Sequence, residues 1–219
     1  MKDIVIIGAG SFGREVAQLI DDINVDQKIW NLLGYVDETA EKQGTLINSN
    51  PVLGGFEWLE KNRGDKLFAI CAIGNPRAKH TIIKKISGYG LNFANLIHQD
   101  TKVSKFVEMG YGNVICCNSF ISVNIKIGNH VSINPGCGIG HDVVIGDYSS
   151  LYWNVTVSGN VNIGDGCEIG SKADIIPKRS IGNWSVIGAG AVVTKDIPDN
   201  CTAVGVPAVP IKFLQPVIA

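Results

Sequence analysis

His141 and Asp142 are adjacent in this 219-residue chain, and together they have the makings of proton-transfer chemistry. An imidazole takes up a proton near neutral pH, and a neighbouring carboxylate can accept its other N–H, which fixes the tautomer and raises basicity. Such a base, set against an amine or hydroxyl, is typically worth ~10²–10⁴-fold in rate. Asn134 lies seven residues before the pair and Ser150 nine after His141. By residue type alone, each of these reads equally as a corner hydrogen-bonding group. A second constellation is Gly8-x-Gly10-x-x-Gly13, with Asp37 24 residues after Gly13. Glycines there let a phosphate approach the backbone, and the helix that follows favours an anion at its N-terminus. A dehydrogenase needs a second mononucleotide-binding half, and the chain turns to another pattern after one.

The other chemistry-bearing residues are less eloquent. His98, His130 and His141 are separated by 32 and 11 positions, without the close pairing of metal ligands, so no metal site is expected. His98 is expected to be structural or to contact a subunit, and His80 and His130 to be solvated surface residues. The six cysteines include no C-x-x-C pair and read as small buried hydrophobes in a reducing cytoplasm. A formal net charge of −1 without a basic stripe argues against nucleic acid. No apolar run approaches the ~18 residues that span a bilayer, and MKDIVIIGAG ends in a turn rather than a cleavage site.

Two different rhythms must position these residues. Up to residue 90, apolar runs at Ile4–Ile7, Leu32–Val36 and Leu67–Ile73 alternate with helical stretches at Arg14–Ile20, Phe56–Lys61 and Arg77–Ile86. A polar loop covers about 44–55. This predicts a small Rossmann-like parallel sheet with helices on both faces, with Phe93–Ile97 as its last strand. From Leu91 to Val193 every sixth residue is aliphatic, Met109 being the one variation. That period belongs to neither a helix nor a strand and marks stacked rungs. The next slot holds glycine at 110, 128, 140, 146, 164, 170, 182 and 188, as expected of a tight turn with no room for a Cβ. Three hexads make an 18-residue triangular coil, and residues after Val193 read as a cap. The domains are therefore 1–90 and 91–219, meeting without a flexible linker. His141, two residues after Ile139, falls on an outward corner.

The hexads, closed by Asp196-Ile197-Pro198 and Gly205-Val206-Pro207-Ala208, resemble those of the hexapeptide-repeat acyltransferases. The ordered set Gly8–Val16, Gly34–Asp37, Ala72–Asn75 and Gly140–Asp142 is similar to the sugar O-/N-acetyltransferases of the sialic-acid and bacillosamine type. The resemblance implies a left-handed parallel β-helix, a cytoplasmic homotrimer, and acetyl-CoA bound between neighbouring prisms. It implies His141 as base and Asp142 as its orienter, and for acetyl-CoA it points to Gly159, Ser171 and Ala189, with Ser150 standing where the family often has a second His. It further implies a nucleotide-linked sugar, in a glycan-building pathway, bound by Gly10, Ser11, Phe12, Asp37, Glu38, Gly74 and Asn134. Phe12 also replaces a frequent His. O-acetylation of a free sugar acid, or a non-catalytic sensor of nucleotide sugars, are the alternative expectations.

Overall fold

A computed structural model describes residues 1–64 and 66–217. The N-terminal unit runs β1 (Lys2–Ile7), α1 (Ser11–Asp26), β2 (Trp30–Val36), β3 (Leu46–Ile47), β4 (Asn50–Gly54), α2 (Phe56–Asn62), β5 (Leu67–Cys71), α3 (Pro76–Ile86) and β6 (Asn92–Phe93). Its sheet has the order β3-β4-β2-β1-β5-β6, parallel except for the β3–β4 hairpin. Ile4, Val5, Ile6 and Ile7 are all fully buried, as a strand covered by helices on both faces requires. Two departures from the sequence reading stand out. The polar stretch expected as a loop contains the β3–β4 hairpin. Asn48 and Ser49 at its tip have φ of 47° and 66°, the positive pair a two-residue hairpin turn needs. The run Phe93–Ile97 is divided: Asn92–Phe93 closes the first sheet and Leu96–Ile97 opens the next.

Each hexad then supplies a two-residue strand, and residue i pairs with residue i+18. Ile115 lies against Ile133, and Ile133 against Leu151. Three sheets of eight, six and five strands result, parallel except for the last C-terminal strand of the largest, and wound as a left-handed β-helix. The aliphatic ladder fills the prism. Ile133, Leu151, Ile169 and Ile187 are each fully buried, beside Val131, Val155 and Cys167. Four of the six cysteines are buried, the other two half-buried, and all six are free thiols. At the C-terminal end Cys201–Val204 pairs with Val186–Ile187, and Val209–Phe213 folds back on it antiparallel.

The tight turn does not fall in the glycine slot. The residue with positive φ comes two places later, at every sixth position from Gly112 to Gly190, and is commonly Asn: Asn118, Asn124, Asn154 and Asn160 have φ near 57–60°. Asn tolerates this left-handed region better than most residues. The slot after the aliphatic needs glycine for a different reason. A Cβ on Gly170 would collide with the Ala189 amide of the next coil, and one on Gly128 would lie 2.8 Å from the Asp147 amide. Coil-to-coil approach, rather than chain reversal, selects glycine there.

The two domains meet along one corner of the prism, where the left-handed positions carry rings instead of Asn: His130, Tyr148 and Trp184. His130 and Tyr148 stack at 5.6 Å, and His80 of α3 packs edge-on to Tyr148 and Trp184 at 5.1 and 5.2 Å. His80 and His130 are thus joint residues rather than solvated ones. His130 is buried, which pushes its imidazole pKa down to about 4. The sequence misled because a ring at a corner looks exposed until a second domain covers it. Arg77 reinforces the joint by donating to the Gln215 and Trp184 carbonyls while stacking over Trp184. His98 is also buried, 3.6 Å from Asp22 of α1.

The need for glycine where coils approach is directly testable. Gly170→Ala is expected to destabilise the fold by about 1–3 kcal/mol through overpacking. Gly138→Ala, whose Cβ would meet nothing within 4 Å, is expected to leave the urea midpoint unchanged.

Candidate functional site

His141 stands on the corner after the strand Gly138–Ile139, exposed to solvent. Asp142 follows in the left-handed region, φ 58°, which swings its carboxylate back onto the ring: His141 Nδ1 and Asp142 Oδ2 are 2.8 Å apart. Asn124, one coil away, donates to the other oxygen at 3.2 Å. These hydrogen bonds, His141 first and Asn124 second, hold the Asp142 carboxyl below the usual carboxylate range. With Nδ1 engaged, Nε2 is the ring atom left for chemistry. The ring lies flat on the next coil, where a Cβ on Gly159 would be 2.5 Å from both Nε2 and Cε1. The Gly159 carbonyl accepts from Lys178 at 3.1 Å, while its N–H has no partner among the described residues. Base, orienter and an uncommitted amide donor therefore share one corner, an arrangement suited to moving a proton beside a developing oxyanion.

Ser171 and Ala189 occupy another corner, the one that also carries Trp153, and are stacked 18 residues apart. That corner borders a cleft of about 260 Å³ between the domains, lined by Ser11, Phe12, Gly74, Asn134, Ser150 and Ser171 among others. Six of the residues selected from sequence are thus brought together, and His141 is not among the residues lining this cleft. Asn134 is nine-tenths buried, and its side-chain amide has no partner among the described residues. Ser150 is fully covered. Its hydroxyl donates to the Gly74 carbonyl at 2.8 Å and accepts from Lys79 at 3.2 Å, so it ties the domains together at the floor of the cleft.

The glycine-rich turn separates this cleft from a second crevice of about 350 Å³, lined by Gly8, Asp37, Glu38, Phe56, Ile73 and Lys85 among others. Gly8 and Gly13 are explained by packing. A Cβ on Gly8, whose φ is +105°, would meet the Ile73 side chain at 2.6 Å, and one on Gly13 would collide with the Gly8 carbonyl. Gly10 is exposed and a Cβ there would meet nothing within 4 Å, so packing alone does not select it. Asp37 accepts from the Ala9 and Thr39 amides and pairs with Lys42 at 3.1 Å. Glu38 accepts from the Phe56 amide at the start of α2 and pairs with Lys85 at 2.7 Å. Both acids already hold the crevice together before any ligand arrives.

Sequence reasoning passed over Lys79 and Ser132. A signal was present: Pro76, Lys79, Ile83 and Ile86 recur at helical spacing, which puts a lysine on the buried face of α3. Among the described residues, no group of three or more His, Cys, Asp or Glu side chains is placed to hold a metal, and no helix is long and apolar enough to cross a membrane.

Comparison with known proteins agrees with this architecture. Residues 3–86 match the PglD N-terminal domain, and residues 124–159 and 160–195 each match the bacterial transferase hexapeptide (six repeats). GDP-perosamine N-acetyltransferase of Escherichia coli O157:H7 is 32% identical over 145 residues, 65% of this chain and 64% of that enzyme. The chain spans 64% or less of the length of the curated relatives it matches. A histidine-to-asparagine variant of perosamine N-acetyltransferase from Caulobacter crescentus, in complex with CoA and GDP-perosamine, superposes with TM-score 0.89. The two share 28% identity over 97% of this chain and 98% of that one. The acetyltransferase domain of PglB from Neisseria gonorrhoeae FA1090, in complex with acetyl coenzyme A, superposes at 0.86 with 28% identity, over 96% and 99% of the two chains.

The crevice acids generate a pH prediction. Burial alone would raise the Asp37 carboxyl, but hydrogen bonds from Thr39, the Ala9 amide and Lys42 outweigh it and hold the pKa at about 2. A depressed folded-state pKa stabilises above the unfolded value near 3.8 and is lost as pH falls through about 2. That is a contribution of roughly 2 kcal/mol. Asp37→Asn is expected to lower unfolding free energy by about this much at pH 7, and by progressively less as the pH falls from 4 towards 2. Urea titrations at a series of pH values measure it.

Proposed function

Because the chain belongs to the hexapeptide-repeat sugar acetyltransferases, homologous to GDP-perosamine N-acetyltransferase and to the PglB acetyltransferase domain, we propose that it transfers acetyl from acetyl-CoA to the amino group of a nucleotide-linked sugar. The observation that carries this reading is the His141 corner. Nδ1 is held by Asp142, Nε2 is free, and the ring lies on a glycine whose N–H is uncommitted. His141 removes the proton of the attacking amine through Nε2, and Asp142 supports the positive charge that the ring acquires. The Gly159 N–H donates to the negative charge that develops on the thioester oxygen, a contribution worth ~10²–10³-fold where a single such donor has been removed. Collapse of that oxyanion breaks the C–S bond, and CoA leaves as the thiol with the proton that His141 took from the amine.

The acceptor is a nucleotide-linked amino sugar because the chain supplies two adjoining recesses on either side of the glycine-rich turn. The crevice at Asp37 and Glu38 suits the nucleoside. The interdomain cleft at Ser11, Phe12, Gly74 and Asn134 suits the diphosphate and sugar. The Caulobacter relative binds CoA and GDP-perosamine, which supports an acceptor of the nucleotide-linked class. Acetyl-CoA fits the small residues Gly159, Ser171 and Ala189, which leave backbone amides open to a long, narrow ligand. Those residues lie on two different corners of one prism, so a ligand touching both runs between two prisms. The family resemblance implies a homotrimer, and in the reading proposed here the His141 corner of one protomer faces the cleft of its neighbour. Such an enzyme works in the cytoplasm, where acetyl-CoA and sugar nucleotides are made, and feeds surface-glycan assembly.

Thiol release from acetyl-CoA, followed with a panel of GDP-, UDP- and dTDP-linked amino sugars, tests the assignment. His141→Ala is expected to abolish turnover with the trimer intact on gel filtration, and full activity in that variant would sink the mechanism. Gly159→Ala, whose methyl group displaces the imidazole, is expected to lower kcat about 100-fold without changing the unfolding midpoint. Turnover confined to free sugars would replace the acceptor by an unactivated sugar acid.

A further inference from the structure

Lys79 is the most thoroughly buried cation of the chain, with no exposed surface, and no carboxylate reaches its ammonium among the described residues. Its partners are neutral: the His130 carbonyl at 2.9 Å, Ser132 Oγ at 3.0 Å, Ser150 Oγ at 3.2 Å and the Tyr148 carbonyl at 3.4 Å. A buried charge without a counter-ion is expensive to keep. Burial accordingly pushes its pKa down, to about 8, which still leaves it charged at neutral pH. Structural joining of two domains does not require this, since apolar residues of similar volume do it at least as well.

The direction of every bond around it can be deduced. An ammonium only donates, and a carbonyl only accepts. Ser150 therefore accepts from Lys79 and spends its own proton on the Gly74 carbonyl. Ser132 also accepts from Lys79, but its own proton has no acceptor among the described residues. Both serines line the interdomain cleft. The same cleft receives the unpartnered, nine-tenths-buried amide of Asn134 and the N-terminal turn of the 16-residue helix α1, which carries no acid there. Two carboxylates stand at its rim: Glu15, exposed to solvent, and Glu168, which accepts from Asn75 at 3.2 Å beside Tyr152. At its floor the cleft offers hydrogen-bond donors backed by the Lys79 ammonium and the α1 N-terminus, a setting that favours an anion.

We propose that Lys79 is a positioning residue for the acceptor: it fixes Ser132 so that the hydroxyl proton points into the cleft, and with Asn134 it recognises a phosphate oxygen of the sugar-linked diphosphate. This rests on the reading of the chain as an acetyltransferase of nucleotide-linked sugars and adds the group that selects for the diphosphate. Lys79 touches no reacting atom and acts through Ser132.

Steady-state acetyl transfer tests it, with KM measured separately for acetyl-CoA, for the nucleotide-linked amino sugar and for the same sugar without its nucleotide. Ser132→Ala is expected to raise the KM of the nucleotide-linked sugar about 10-fold, and Lys79→Met about 100-fold, the scale of losing one or two hydrogen bonds to a charged group. kcat and the acetyl-CoA KM are expected to stay within about threefold of wild type, and KM for the bare sugar to be unaffected. A purely structural lysine would lower the thermal midpoint and shift the two KM values together. An unchanged acceptor KM in Ser132→Ala, or equal shifts for both substrates, overturns the proposal, and that variant decides the matter if Lys79→Met does not fold. A wild-type enzyme that turns over only bare sugars overturns the acceptor reading itself, and this inference with it.

Discussion

Everything in the C-terminal half depends on one constraint: residue i must lie against residue i+18 at β-sheet distance, coil after coil. The backbone bonds from Asn134 to Leu151 and from Tyr152 to Ile169 repeat the same geometry down the prism. At that spacing there is no room for a Cβ where coils approach most closely, so glycine recurs. A reversal is needed on each corner, so Asn and other residues tolerant of positive φ recur two places later. The aliphatic ladder follows, because each face of a triangular coil turns the periodic aliphatic inward beside a smaller residue two places earlier. The corner that holds His141 inherits its precision from this repetition. The same left-handed position that holds a structural Asn elsewhere holds Asp142 here and turns its carboxylate towards the imidazole.

The N-terminal domain uses a separate logic of helices on a parallel sheet, yet it is not loosely attached. Three features of α3 join it to the prism: His80 packed edge-on against Tyr148 and Trp184, Arg77 reaching the last coils, and Lys79 buried among prism carbonyls and hydroxyls. The joint is polar at its centre and aromatic at its edge. Polar bonds of fixed direction set one relative placement of the two domains, which an apolar contact would allow to slide. The cleft exists only because that placement is fixed, since its walls come from α1, the Gly74 turn and three successive coils of the prism.

The two halves of the proposed site are separated within one protomer. His141 and Gly159 lie on one corner, whereas Asn134, Ser150 and Ser171 line a cleft beside another. This division leaves the two halves of the proposed site unjoined on a single prism, and the proposed trimer would bring them together.

The six-residue period, the glycine-rich turn and the His-Asp pair were all legible in the sequence, because each rests on spacing between near neighbours. Local spacing was enough to number the coils, to place His141 on a corner and to find the parallel sheet. It failed where a distant segment supplied the environment. His80 and His130 looked solvated until α3 and the ring-bearing corner met, and no local spacing showed that Lys79 and Gly74 bond the Ser150 hydroxyl. Lys79 itself was one basic residue on a short helix. The sequence by itself determined the rungs, since a repeat must satisfy the same backbone bonds at every turn. Only the tertiary structure decided which corner is covered, which donors remain unspent and where the cleft opens, because those depend on contacts between residues 50 to 140 positions apart.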